Sequence, residues 1–203
     1  MHGLIIRSFE GFLRNTYGAA FWEDMVSALD AGIDRFEPMF HYDDALAARL
    51  VDVASARLGK PADGLFEDYG TYLVAHPASE RVRRLLRFGG VDYEDFLGSL
   101  EDLAGRARLA VPDLDLPRLE LVDLGVGDYR LSLFTPLIGA ASVYLGLLRA
   151  LADDYGALVV IEPDGHVKGA DRLSIRLLKA DFAQGRGFAL ADDGTGAAHR
   201  GGR

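Results

Sequence analysis

The sequence predicts an α+β fold, in which an N-terminal helical subdomain precedes a C-terminal subdomain with a four-stranded antiparallel sheet packed on helices. Up to about residue 110 the apolar residues recur at helical spacing, and beyond it they fall into alternation and short apolar runs. The strand-like runs come in two pairs with a long helical pattern between them, which suits a sheet covered by a helix. At 203 residues, 49% of them hydrophobic, the chain is long enough to bury a substantial core.

The first helix runs from Leu4 to Tyr17, with Ile5, Ile6, Phe9, Phe12 and Leu13 on one face and Gly18 as its stop. A second covers Ala20 to Leu29, holds the only tryptophan, Trp22, as a packing residue, and closes at Ala31-Gly32. After a connector with Phe36 and Phe40, Asp43 caps a helix that ends at Gly59; Asp43 and Asp44 sit where the helix dipole favours negative charge. Pro61 opens the next, which sets Leu65, Tyr69, Tyr72, Leu73 and His76 on one face before Pro77 ends it.

A short helix from Ser79 to Phe88 leads through Gly89-Gly90 to Asp92, the cap of a helix whose stripe is Phe96, Leu97, Leu100, Leu103, Ala104 and Ala107. Strands come next, around Leu119–Val122, Tyr129–Leu133, Leu158–Ile161 and Leu173–Leu178. Gly125-Val126-Gly127-Asp128 is predicted to turn the first pair and Asp164-Gly165 the second. The intervening helix, Gly139 to Tyr155, buries Val143, Tyr144, Leu147, Leu148 and Leu151. Residues 182–203 read as a disordered glycine-rich tail, with His199 solvated in it.

Composition excludes several functions. A chain without cysteine has no disulfide, thiolate nucleophile or thiolate metal ligand, and reads as cytoplasmic. Its formal charge of −9 repels nucleic-acid phosphates and anionic lipid, and no apolar run is long enough to span a bilayer. The one basic run, Arg81, Arg83, Arg84 and Arg87, is predicted to be a solvated helix face. Nucleophile-elbow, zinc-protease, P-loop and dinucleotide motifs are lacking, and His2, His41, His76, His166 and His199 show no ligand spacing. The chain is therefore expected not to be an enzyme.

The opening MHGLIIRSFEGFLRNTYG, then FWEDM, the YDD at Tyr42, FEDYGTYLV, DFLGSLEDL, RLAVPDLDLPRLEL and VYLGLLRAL, resembles the heme nitric oxide/oxygen binding (H-NOX) family in order and spacing over residues 1–181. The resemblance implies one domain over that range: a helical part to about residue 90, then the helix at 92–110 and the sheet part to 181. It also implies a heme held between the two parts. Members ligate the iron through a histidine in a pattern resembling LDxLHxxL; the matching residue here is Ala104, which has no donor atom. Members hold the heme propionates through YxSxR; the matching residues are Leu133, Thr135 and Leu137.

The other pocket positions matched by the resemblance are Ile5, Phe9, Leu73, Pro77, Leu100, Pro117, Val143 and Leu147, all apolar. No cofactor is expected: without the axial ligand and the arginine, the pocket is expected to be repacked by Leu133 and Leu137 or to take another apolar ligand. The alternative is heme on an unconventional axial ligand. His76 is the candidate, since it shares a helix face with Leu73, with His2 behind it. The resemblance further implies signalling through a partner such as a histidine kinase or a cyclic-di-GMP enzyme.

Overall fold

A computed structural model describes residues 1–30, 32 and 35–187. The helical part comprises α1 (Gly3–Tyr17), α2 (Ala19–Leu29), α3 (Asp44–Leu58), α4 (Ala62–Ala75) and α5 (Glu80–Arg87). A break between α6 (Tyr93–Gly98) and α7 (Leu103–Ala110) precedes the sheet part: β1 (Arg118–Gly125), β2 (Asp128–Phe134), α8 (Ala140–Tyr155), β3 (Leu158–Val167) and β4 (Ala170–Lys179). The predicted α+β architecture holds, and the sheet is antiparallel throughout in the order β1-β2-β4-β3.

Local chemistry explains most boundaries. Asp43 and Asp92 accept hydrogen bonds from the backbone N–H of Ala45 and Asp95 at 2.9 Å each, satisfying donors that a helix start otherwise leaves unpaired. Gly18, Gly59 and Gly156 end helices at positive φ, a region closed to most side chains. Helix α2 ends at Leu29 as predicted, with Asp30 as its cap in the left-handed region; Ala31, half of the predicted stop, lies outside the described residues.

Among the described residues, buried apolar side chains form two cores. One joins α1–α4 through Ile6, Phe9, Phe12, Leu13, Trp22, Met25, Leu50 and Leu65. The other joins α5–α8 to the inner sheet face through Phe96, Leu100, Leu131, Leu133, Leu148, Ile161 and Leu173. Helices α4 and α8 run between the cores and cross at glycines. A Cβ on Gly70 would meet the Val143 carbonyl, and one on Gly146 the Glu67 carbonyl, so main chain lies on main chain there.

The structure corrects the sequence reading at four places. The turn between β3 and β4 is Lys168-Gly169, both at positive φ, as a two-residue hairpin requires; Asp164-Gly165 lies within β3, where Gly165 (φ 75°) sits in a register irregularity between Pro163 and His166. The basic run is not uniformly solvated. Arg83 is 5% exposed and its Nε lies 3.1 Å from both carboxylate oxygens of Asp154, while Arg87 approaches the same carboxylate at 3.8 Å. The stretch from residue 182 is not uniformly loose either: the Ala183 and Arg186 N–H groups donate to the carbonyls of Gly156 and Asp154 at 2.9 Å each, holding residues 182–187 against the end of α8. The remaining tail positions, including His199, lie outside the described residues. The fourth difference lies in the helix carrying Ala104.

Candidate ligand pocket

The predicted continuous helix from Asp92 to Leu109 is two helices joined by a 3₁₀ turn at Leu100–Asp102. The Ser99 hydroxyl donates to the Phe96 carbonyl at 2.8 Å, an alternative to continued helical pairing directly after Gly98. A 3₁₀ turn advances about 20° more per residue than an α-helix, so three such residues rotate α7 by roughly 60° relative to a continuous helix. Phe96, Leu97, Leu100, Leu103 and Ala107 remain buried. Ala104, predicted in the buried stripe, is only half-buried at its margin.

Leu133 points inward from β2, paired with Leu119 of β1 and Asp171 of β4, and is 1% exposed. It shares a core with Leu100, which is 0% exposed, and with Tyr144 and Leu147. A side chain facing space wide enough for water keeps accessible surface, so Leu100 and Leu133 are packed on protein. Thr135 and Leu137 are half-buried beyond the end of β2, and the Thr135 hydroxyl oxygen accepts the Leu137 N–H at 3.1 Å, closing a local turn.

Phe9 belongs to the other core. It meets Tyr69 edge-on at 5.2 Å between centroids, and Leu73 and Val143 pack against the same cluster. Ile5 is half-buried, Pro117 buried and Pro77 exposed. The predicted lining thus divides between two adjoining cores, with Leu100, Leu133 and Leu147 in one and Phe9, Leu73 and Val143 at the other. Burial pushes the Tyr69 phenol up to about 12, against a smaller lowering by Ser8, and raises that of Tyr144 further. Both hydroxyls stay neutral over the physiological range.

Each of the four described histidines has an identifiable neighbour. His76 caps the C-terminal end of α4, where extended backbone (ψ 135°) ends the helix. It stacks on Tyr72 at 4.6 Å, accepts the Ala78 N–H on Nδ1 at 3.1 Å, and borders an open cleft of about 350 Å³ with Phe12, Thr16 and Asp68. Leu73 is not among the residues that line this cleft. His166, on β3, pairs with Asp171 at 2.7 Å. His2 caps α1 by accepting the Leu4 N–H on Nδ1 at 3.1 Å, and its Nε2 lies 3.3 Å from the Asp113 carboxylate. The His41 ring stands edge-on to that of His2 at 5.0 Å. Sequence spacing gave no sign that His2, His41 and Asp113 meet.

A family model described as Haem-NO-binding matches residues 2–163. The chain is 20% identical over 181 residues to soluble guanylate cyclase 89Da of Drosophila melanogaster, covering 87% of this chain and 27% of that protein. It is 32% identical over 105 residues to soluble guanylate cyclase gcy-35 of Caenorhabditis elegans, covering 51% of this chain and 15% of the relative. The chain therefore spans about a quarter or less of the length of these relatives. Among solved structures, it superposes on an H-NOX protein from S. oneidensis in the Fe(II)NO ligation state with a TM-score of 0.74, at 17% identity over 87% of this chain and 99% of that one. A mutant H-NOX of T. tengcongensis gives 0.73, at 18% identity over 89% and 99%. These likenesses establish the fold. Among the described residues, no helix is long and apolar enough to cross a membrane.

Proposed function

The chain belongs to the Haem-NO-binding family, and on that premise we propose that it is a non-enzymatic sensory or regulatory domain that does not hold heme in the family's usual way. It acts through a partner protein or by taking another apolar ligand. The observation that carries this reading is the packing of Leu133, 1% exposed in one core with Leu100 and Leu147.

Heme needs a donor to its iron and counter-charge for its two carboxylates. At the positions the resemblance assigns to those tasks stand Ala104, Leu133, Thr135 and Leu137, which supply neither a nitrogen ligand nor a cation. A carboxylate desolvated there without a partner costs several kcal/mol, so the residues present do not fit the group. The output partner is a signalling protein: the resemblance points to a histidine kinase or a cyclic-di-GMP enzyme, and relatives named as guanylate cyclases carry the matching segment within longer chains.

The test is to express the protein with heme supplied and record its absorbance. The reading expects a folded, colourless protein; a stoichiometric Soret band refutes it, and loss of that band in His76→Ala would establish the alternative ligand. The assignment of the positions is tested separately. Combining Ala104→His, Leu133→Tyr, Thr135→Ser and Leu137→Arg is expected to confer heme uptake, and a variant folded by circular dichroism that takes none would refute the assignment.

A further inference from the structure

Outside the apolar pocket, a second constellation combines three donors from distant parts of the chain. The His2, His41 and Asp113 side chains each present a ligand atom, all within 4.8 Å of one another. His2, at the start of α1, is 4% exposed, and its buried Nε2 makes no well-directed hydrogen bond although the Asp113 carboxylate lies 3.3 Å away. His41, bridged to His2 through the backbone, and Asp113, between α7 and β1, are exposed. A buried imidazole nitrogen aimed at a second imidazole and a carboxylate matches the donor set of a zinc-class ion.

We propose that His2 Nε2, His41 and Asp113 form a binding site for a divalent transition-metal ion, for which Zn²⁺ is the probe. Ligand bonds of about 2.0–2.2 Å in a tetrahedron put donors roughly 3.3 Å apart. His2 and Asp113 already stand at that separation. The rest of the closure is made by the exposed His41 ring, with water in the open position. Imidazole donors exclude calcium and magnesium as preferred occupants.

One proton has to move. In the ion-free site Nδ1 of His2 accepts the Leu4 N–H, so a neutral ring carries its proton on Nε2. Binding at Nε2 requires the proton on Nδ1, which releases the cap on Leu4. Metal uptake and this helix cap therefore compete, and the Leu4 amide reports the exchange. The bound ion would tie the first turn of α1 and the connector before α3 to the segment entering the sheet, whether or not the apolar pocket takes a ligand.

The experiment titrates tag-free protein with Zn²⁺ by calorimetry and monitors the Leu4 amide resonance. One ion per chain with a shift of that amide is expected. His41→Ala and Asp113→Asn should each weaken binding at least about tenfold, as removal even of a supporting residue around a metal does. His2→Asn keeps a capping side chain but no Nε2, and should lose binding while its circular dichroism spectrum shows it folded. His166→Ala, at the surface pair with Asp171, should bind as the parent does. Absence of uptake, unaltered affinity in His41→Ala and Asp113→Asn, or loss of binding in His166→Ala overturns the site.

Discussion

Replacing Asp154 with alanine is expected to cost about 3–5 kcal/mol of stability, the range for breaking a buried ion pair by removing one partner. The Asp154 carboxylate is 1% exposed, at the C-terminal end of α8. Arg83 donates to it from Nε at 3.1 Å to each oxygen and lies 3.0 Å from it through Nη2, while the Nε atoms of Arg87 and Arg186 stand at 3.8 and 3.6 Å. At an effective dielectric near 20, opposite charges 3 Å apart attract by roughly 5 kcal/mol, and alanine leaves the Arg83 charge buried without this partner. For a domain of this size the melting temperature should fall by on the order of 10 °C. Urea unfolding monitored by circular dichroism measures the loss. The exposed pair of Arg176 with Asp128 supplies the control, where Asp128→Asn should leave the urea midpoint nearly unchanged. A loss in Asp154→Ala no larger than the control's would refute the argument. Recovery of most of the loss in the double variant Arg83→Met with Asp154→Leu would show that the broken charge pair, and not the lost volume, carries the cost.

The tight turn between β1 and β2 places Val126, fully exposed, at φ 57°, where a β-branched residue is strained. Val126→Asn should therefore stabilise by about 1 kcal/mol and raise the melting temperature by a few degrees; an unchanged or lower value refutes the strain. Burial raises the pKa of the Tyr69, Tyr93 and Tyr144 phenols, Tyr69 to about 12. Their unfolded value is the ordinary 10.0, so the folded chain holds these protons more tightly. The contribution is complete below pH 10 and fades as pH rises, by about 1.4 kcal/mol per pH unit for each tyrosine until its folded pKa is passed. Melting temperatures between pH 9 and roughly pH 12 test the sign, and a flat profile contradicts it.

Helical periodicity and capping residues made the fold readable because both act within a few residues of one another. Gly18, Asp43, Gly59 and Asp92 act where their local chemistry predicts. The 3₁₀ turn at Leu100–Asp102 escaped because the stripe of Phe96, Leu100 and Leu103 satisfies helical spacing on both sides of it. Asp164-Gly165 and Lys168-Gly169 compete for one hairpin, and strand pairing, a long-range property, chose the second. The Asp154–Arg83 pair left a local trace: a carboxylate in the last turn of a helix opposes the helix dipole unless a cation answers it. His2, His41 and Asp113 left none, since only the folded chain brings them together. The chemistry at Ala104, Leu133 and Leu137 is readable from residue type, but the tight packing of Leu133 and the stacking of His76 on Tyr72 arise only in the folded chain.

The glycine crossing of α4 and α8 sets how movement can pass between the two cores. Side chains at an interface give way by changing rotamer and absorb small displacements. Gly70 and Gly146 put carbonyl groups where that slack would be. Main chain against main chain cannot be compressed, so a change in volume at Phe9 or Val143 is passed on to α8 as a whole and not taken up at the contact.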